Sequence, residues 1–458
     1  MKYLTADFGS TYTKLTAIDA SKAEILGTSA AFTTIETDVM EGYNSALQRL
    51  EEKIGKFSYD KLLCCSSAAG GLKMVALGLV PELTAKAARM AASSAGAKVV
   101  KTFSFEISKA EQNEIYAIDP DLVLLCGGTD GGNKEVIISN AKKLCEIDRN
   151  FSTIIAGNKS ASCEVETVFA ESGKDFVITE NVMPEFNKLN IEPAKQKIKE
   201  LFISKIIEAK GLNKVQAMTN SEIIPTPLAV LNGCELLSKG TDTIEGIGDL
   251  MAIDIGGATT DVYSISAGTP TFDNVMIKGL PEPYNKRTVE GDLGMRYSLT
   301  PLAEATNLEA LSTEIGVSIG DISAWIETCK QFPNSLAEKE SDNQKIEEGL
   351  AKSALKIAVG RHTGKVETTF TPFGEMFIVT GKDLSEVGNV IGIGGVLVNA
   401  NSAIYILEGA KADKQNLMSL KPKQPKYLLD KKYIFGSMGL LSALDADLAL
   451  TIMKKEIT

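Results

Sequence analysis

Histidine is nearly missing from this chain: His362 is the only one, and there is a single tryptophan. A Ser-His-Asp set or a histidine-rich metal site would have to use that one imidazole, and neither a nucleophile elbow nor an HExxH pair accompanies it. His362 is therefore read as a structural group or a helix-end partner. The seven cysteines (Cys64, Cys65, Cys126, Cys145, Cys163, Cys234 and Cys329) are odd in number and form no CxxC pair. That argues against a disulfide framework and against a zinc ribbon. Several lie in apolar strand-like runs, "KLLCCSS" and "LVLLCGG", where a reduced thiol is simply a small core residue. A reducing, cytoplasmic setting fits that usage. No apolar run approaches the roughly 18 to 20 residues of a membrane-spanning helix, and no basic-then-apolar leader precedes the first strand. Positive charge is in deficit, 48 Lys and Arg against 59 Asp and Glu, for a net charge of -11. Phosphate surfaces repel such a chain, so neither nucleic acid nor a membrane is expected as a partner. A nucleotide stays open, because its charge can be met locally by backbone amides, a lysine and a metal.

What is present reads as α/β architecture. Short apolar strands ("KYLTADF", "YTKLTAI", "KLLCCSS", "LVLLCGG", "STIIAGN", "LMAIDIG", "TDVYSIS", "EMFIVTG", "NVIGIGG") alternate with helical patterns. The helical patterns fall at 40–55, 82–95, 194–210, 343–360 and 440–455. With 458 residues, length alone suggests about two to four domains. The polar, Gly-rich "GTDTIEGIG" at 240–248 reads as the loop into a second half.

The informative feature is an internal echo. "TADFGSTYTKLTAID" (5–19) and "MAIDIGGATTDVYSI" (251–265) align so that Asp7 falls on Asp254, Gly9 on Gly256, Ser10 on Gly257, Thr11 on Ala258 and Thr13 on Thr260. Each copy reads strand, Asp-x-Gly-small-small turn, strand. One such turn is ordinary; two in the same order imply two related halves. A Gly-rich hairpin turn exposes backbone N–H groups as a nest for phosphate oxygens. Ser10, Thr11, Thr259 and Thr260 add hydroxyls, and Lys14 supplies a point charge for the β- and γ-phosphates. Asp7 and Asp254, both at strand ends, can hold a Mg²⁺ through its waters. One carboxylate could also orient an attacking water.

"DFGSTYTK" and "DIGGATTD" resemble the two phosphate motifs of the actin-like ATPase superfamily, which includes sugar kinases, actin and the heat-shock chaperone ATPases. The resemblance implies two RNase H-like lobes with ATP or ADP and Mg²⁺ in the cleft between them. The first lobe would be 1–245, with an enlarged insert at about 66–220, and the second 246–458. The late "VIGIGGVLVNA" (390–400) is similar to the adenosine motif, with Gly394 and Gly395 admitting the nucleoside. By the same resemblance Gly9, Ser10, Thr11, Tyr12, Lys14, Gly256, Gly257, Ala258, Thr259 and Thr260 bind nucleotide. Asp7 and Asp254 are the catalytic and metal-holding pair. "IIPTPLAVLNGCELL" (223–237) resembles the helix that crosses between lobes. "RTVEGDLGMRYS" (287–298) stands where relatives begin a helix lining the cleft, which makes Glu290, Asp292 and Arg296 cleft candidates; surface charge is the alternative. One departure matters: relatives place Glu or Gln ahead of the crossing helix to position water, and this chain has Pro225-Thr226-Pro227-Leu228. Slow turnover follows from that difference.

Eight segments in order narrow the resemblance: "DFGSTYTKLTAID", "CCSSAAGGLKMVALGLV", "DLVLLCGGTDGGN", "TIIAGN", "TPLAVLNG", "DIGGATTDVYS", "TVEGDLGMR" and "VGRHTG". They are similar to the glutamate mutase accessory proteins, the MutL-type glutamate mutase L family, which is unrelated to the mismatch-repair protein of similar name. The resemblance spans essentially the whole chain. It implies an ATP-dependent reactivating partner, chaperone-like, for an adenosylcobalamin-dependent glutamate (methylaspartate) mutase. A small-molecule kinase of the same superfamily is the alternative, and a filament-forming actin relative a third reading. Activators of 2-hydroxyacyl-CoA dehydratases share the fold, but no cysteine spacing here suits their shared cluster. The Gly-rich "SSAAGGL" and "GGTDGGN" are read as turns of an enlarged first lobe, with a partner-recognition insert or a second ligand site as the alternatives.

Overall fold

The computed structural model describes residues 1–9, 11–34, 38–67, 73–208, 212–219, 221–372, 374–413 and 418–458. The chain divides into two compact units, one of Met1–Val230 with Gly279–Pro283, the other of Leu231–Lys278 with Tyr284–Thr458.

The first unit opens with an antiparallel meander, β1 (Lys2–Phe8), β2 (Tyr12–Asp19) and β3 (Glu24–Phe32), followed by β4 (Lys61–Ser66) parallel to β1. Alternation along β1 sends Leu4, Ala6 and Phe8 into the core and leaves Thr5 and Asp7 on the other face. Between β3 and β4 runs the helix Val39–Ile54. Asp38 starts it by accepting from the Met40 N–H, and Gly55 stops it with φ 81°.

Next in sequence is a second sheet, built from β5 (Lys73–Gly78), β6 (Lys98–Ser104), β7 (Leu122–Leu125), β8 (Ser152–Ile155) and β9 (Phe176–Ile178). All of its pairings are parallel, in the order β6-β5-β7-β8-β9. "LVLL" is apolar without alternation, and Ile154 and Ile155 of "STII" fall in different core clusters, because buried side chains pack on both faces of this sheet. The short β10 (Ile224–Pro225) then returns to pair with β4, which completes the first sheet as β10-β4-β1-β2-β3. The helix Thr226–Lys239 follows at once, and the division between units falls within it.

The second unit repeats the first sheet. β11 (Leu250–Ile255) and β12 (Thr260–Ile265) form the hairpin, and β13 (Val275–Ile277) leaves for a small sheet. β14 (Asn285–Glu290) then pairs antiparallel with β12. β15 (Lys365–Thr371) and β16 (Gly374–Thr380) complete the small sheet as β13-β16-β15. β17 (Asn389–Ile393) runs parallel to β11, with β18 (Lys426–Leu429) beyond it. The order β18-β17-β11-β12-β14 matches β10-β4-β1-β2-β3 strand for strand, in position and in direction. The echo in sequence is an echo in topology, and each copy has the strand order of an RNase H-like lobe.

Two expected elements differ. The pattern at 440–455 is not one helix: Phe435–Leu441 ends, and Ala446–Glu456 starts anew because Asp445 caps it by accepting from the Leu448 N–H. "RTVEGDLGMRYS" does not begin a helix either. Its first four residues belong to β14, the next eight form an irregular segment, and the helix starts at Leu299. Among the described residues, no helix is long and apolar enough to cross a membrane.

Candidate phosphate-binding hairpins

The two turns share one geometry. In the first, the Gly9 N–H donates to the Tyr12 carbonyl at 3.1 Å; in the second, the Gly256 N–H donates to the Thr259 carbonyl at 2.9 Å. A Cβ on Gly9 would lie 2.6 Å from the Tyr12 oxygen, so the first turn closes too tightly for a side chain there; one on Gly256 would lie 3.1 Å from the Thr259 oxygen, a tight contact that the neighbour must yield to.

In the first unit, Ser10 lies outside the described residues. Asp7 and Lys14 face each other across the β1–β2 ladder, which puts the expected carboxylate and lysine side by side, both half-buried. Tyr12 is exposed at the turn and its ring stacks on Phe32 with centroids 4.6 Å apart. The Thr11 carbonyl accepts from the Thr33 N–H at 2.9 Å, pinning the turn to β3's end. Two residues that sequence reading passed over close on Asp7. Thr226 Oγ1 donates to its Oδ1 at 2.6 Å, and the Cys65 thiol to the same oxygen at 3.5 Å. Burial pushes the Cys65 thiol well above its ordinary value, with Asp7 adding to the shift, so it stays protonated.

In the second unit the turn is laced from behind. The Gly256 carbonyl accepts from Met295 N–H, the Gly257 carbonyl from Arg296 and Tyr297 N–H, and the Ala258 carbonyl from Ser298 Oγ. Thr260 Oγ1 donates to the Leu293 carbonyl at 2.6 Å. Among the described residues, the N–H groups of Gly257 and Ala258 have no hydrogen-bond acceptor. Carbonyls bound behind and amides left over in front are the polarity an anion needs. Gly294 permits the lacing: a Cβ there would lie 2.4 to 2.6 Å from backbone atoms of Gly257 and Ala258.

Asp254 is the last residue but one of β11, half-buried and level with Ile393 of β17. Just beyond, Gly394 takes φ 117°, and a Cβ on it would lie 2.4 Å from the Ile255 carbonyl oxygen. Gly395 begins the short helix Gly395–Val398. The second turn and the Gly-Gly segment are thus neighbours at one end of one sheet. Glu290 ends β14 opposite Thr260. It shares Arg361 with Asp292: Nη1 donates to Glu290 at 2.7 Å and to Asp292 at 2.8 Å, and Nη2 to Asp292 at 2.9 Å. Those bonds hold the Asp292 carboxyl below its usual range. Arg296 turns away to clamp Glu347 at 2.6 Å and the carbonyls of Pro333 and Ser335, so it is a structural tie and no surface charge.

The Gly-rich "GGTDGGN" is satisfied from within. Asn158 accepts from Gly131 N–H and donates to the Gly132 and Asn133 carbonyls, while Asn181 donates to the Gly128 carbonyl and to Asp130. It serves as a braced turn of the parallel sheet. Residues 68–72 of "SSAAGGL" lie outside the described residues.

His362 is fully buried at the end of the helix Asp342–His362. Its Nδ1 is 2.8 Å from Thr288 Oγ1 and its Nε2 2.8 Å from Ser264 Oγ. Buried Lys382 donates to the same Ser264 oxygen at 3.2 Å, and Lys286 donates to the His362 carbonyl at 2.8 Å. Burial first, then the charges of Lys286 and Lys382, hold the imidazole well below 6.5. Once unfolded, the ring protonates near pH 6.5, while the native ring stays neutral. Below about that pH the unfolded state binds more protons, so stability falls as the solution is acidified. Urea unfolding midpoints between pH 7 and pH 5 should therefore fall more steeply in the wild type than in His362→Gln. Parallel slopes would mean that the native ring titrates just as the unfolded one does.

Comparison with known proteins agrees with the order of segments. The MutL protein family model matches residues 3–457. Protein MutL of Clostridium tetanomorphum is 47% identical over 455 residues, covering 99% of this chain and 98% of that one. Solved structures are more distant. The activator of the 2-hydroxyisocaproyl-CoA dehydratase from Clostridium difficile, with bound ADPNP, is 11% identical at a TM-score of 0.29, covering all of this chain and 96% of that one. Gluconate kinase from Lactobacillus acidophilus is 9% identical at a TM-score of 0.34, covering all of this chain and 92% of that one. Superpositions this loose carry no weight for the assignment. On its sequence, matched from end to end, the chain belongs to the MutL protein family.

Proposed function

We propose that this chain is an ATP-dependent reactivating accessory protein for an adenosylcobalamin-dependent glutamate mutase, with the two hairpins as its phosphate loops. The repeated turn carries the reading: the same N–H to carbonyl closure, behind an aspartate, at the same place in two sheets of one strand order. In this reading the amides of Gly257 and Ala258, the hydroxyl of Thr11 and the ammonium of Lys14 meet the phosphates, while Thr259, whose one hydroxyl proton goes to Asp261, anchors the turn instead. Gly394 and Gly395 let the nucleoside approach the backbone, and Glu290 and Asp292 stand at the rim of the second turn.

The donor set suits Mg²⁺. Carboxylate and hydroxyl oxygens are hard ligands. Among the described residues no group of three or more His, Cys, Asp or Glu could cage an ion. An ion that keeps its waters and leans on phosphate needs no such cage. Asp7 and Asp254 would hold it, and when bound it would neutralise phosphate charge. The protein's own part is to orient: Thr226 and Cys65 fix Asp7, and the segment behind Gly256–Ala258 fixes the second turn. Pro225-Thr226-Pro227-Leu228 supplies no carboxylate or amide to orient a water, which supports slow turnover suited to a switch. Nucleotide state can then bias a conformational equilibrium, and a partner that prefers one conformation is gripped or released.

The test is calorimetric titration of the full chain with Mg-ATP and Mg-ADP, followed by ATP turnover with and without mutase carrying damaged cobalamin. Binding of both nucleotides, and turnover that rises with the inactivated mutase, is the expected result. No heat with either nucleotide would refute the reading.

A further inference from the structure

We infer that Thr226 is the positioning residue for Asp7, leaving a single carboxylate oxygen to face the metal. The inference rests on the Mg-ATP reading above. β4 lies between β1 and β10, and the ladders put Asp7 level with Cys65 and Cys65 level with Ile224. Thr226 is two residues past Ile224, so its side chain reaches over Cys65 to Asp7. The 2.6 Å bond joins residues 219 positions apart in the chain.

Thr226 is the first residue of a helix, one position inside the cap, and its hydroxyl donates to a carboxylate on β1. Pro225 and Pro227 flank it and restrict the backbone, and a β-branched side chain is stiff at χ1, so the hydroxyl is presented in one direction.

The consequence concerns which oxygen of Asp7 is available. Oδ1 accepts from Thr226 and, at longer range, from Cys65. Among the described residues, Oδ2 has no protein partner. With Oδ1 held from two sides the carboxylate cannot rotate freely, and Oδ2 is the atom presented to a hydrated cation. Partners that orient a ligand in this way typically account for about ten-fold or more in metal affinity.

The experiment measures ATP affinity of the full-length protein across a series of free Mg²⁺ concentrations and in EDTA, for wild type, Thr226→Val and Thr226→Ser. Valine keeps the shape and branching and removes the donor. The expected result is a Mg²⁺ midpoint about ten-fold higher in Thr226→Val, unchanged affinity in EDTA, and recovery of the wild-type midpoint in Thr226→Ser. An unchanged midpoint in a Thr226→Val protein that still binds ATP overturns the inference and leaves the Mg-ATP reading standing. Equal loss with and without metal overturns it too, because it marks a merely structural role. A wild type whose ATP binding ignores Mg²⁺ overturns the reading itself.

Discussion

Alanine at Asp7 or at Asp254 is expected to weaken Mg-ATP binding by about a hundred-fold or more, the scale of several kcal/mol for losing a metal–phosphate interaction. Each carboxylate is half-buried at a strand end beside a closed turn, so its removal opens no core cavity. For Asp7→Ala the structural cost is the acceptor taken from Thr226 and Cys65, about 1–3 kcal/mol if the Thr226 hydroxyl finds no replacement. Both variants should stay folded. The signature lies in the metal. Affinity for ATP in EDTA should hold or rise, because an acid next to the phosphates has gone while Lys14 remains opposite position 7. Affinity in Mg²⁺ should collapse. Calorimetry in both buffers separates the two, and retained Mg²⁺-dependent affinity in both variants would move the site elsewhere.

The parts of this arrangement that sequence makes legible are those it states twice. One Asp-x-Gly turn carries little information, whereas two in register imply paired hairpins, and β1–β2 and β11–β12 are such a pair. The third motif, Gly394-Gly395, is legible through its position after them. What stays hidden comes from distant segments. Thr226 meets Asp7 through three strands, and Arg361 joins Glu290 and Asp292 from the end of a long helix. No local pattern announces either. β14 escapes for another reason: its alternating residues are mostly charged or hydroxylic, so a period of two gives no apolar stripe. Lys286 and Thr288 face His362 and Glu290 faces Arg361, while Arg287 points into the other side. Partners, not hydrophobicity, bury these residues. The same holds for Gly294, which is required by a backbone approach that only the folded turn defines.

The buried ion pair behind the second turn carries the largest stability effect expected here. Aligned on the first hairpin, Asp261 occupies the place of Lys14, so the second unit sets an acid opposite Asp254 where the first sets a base opposite Asp7. Arg287 resolves that repulsion. Its Nε and Nη2 donate to Asp261 Oδ1 at 2.9 and 2.7 Å, and the two side chains are only 4% and 13% exposed. Thr259 Oγ1 donates to the other oxygen at 3.0 Å, so the pair also anchors the turn. Arg287→Met leaves Asp261 buried without its cation and facing Asp254, and should cost about 3–5 kcal/mol. Asp261→Leu instead leaves the buried guanidinium without its carboxylate and should cost a similar amount. A buried pair gains little over well-packed apolar side chains, because desolvation offsets most of its attraction. The double variant Arg287→Met with Asp261→Leu should therefore recover most of the loss in urea unfolding. Strictly additive losses would show that the two residues do not act as a unit. The double variant still lacks the Thr259 anchor, so recovered stability should come without full recovery of ATP affinity.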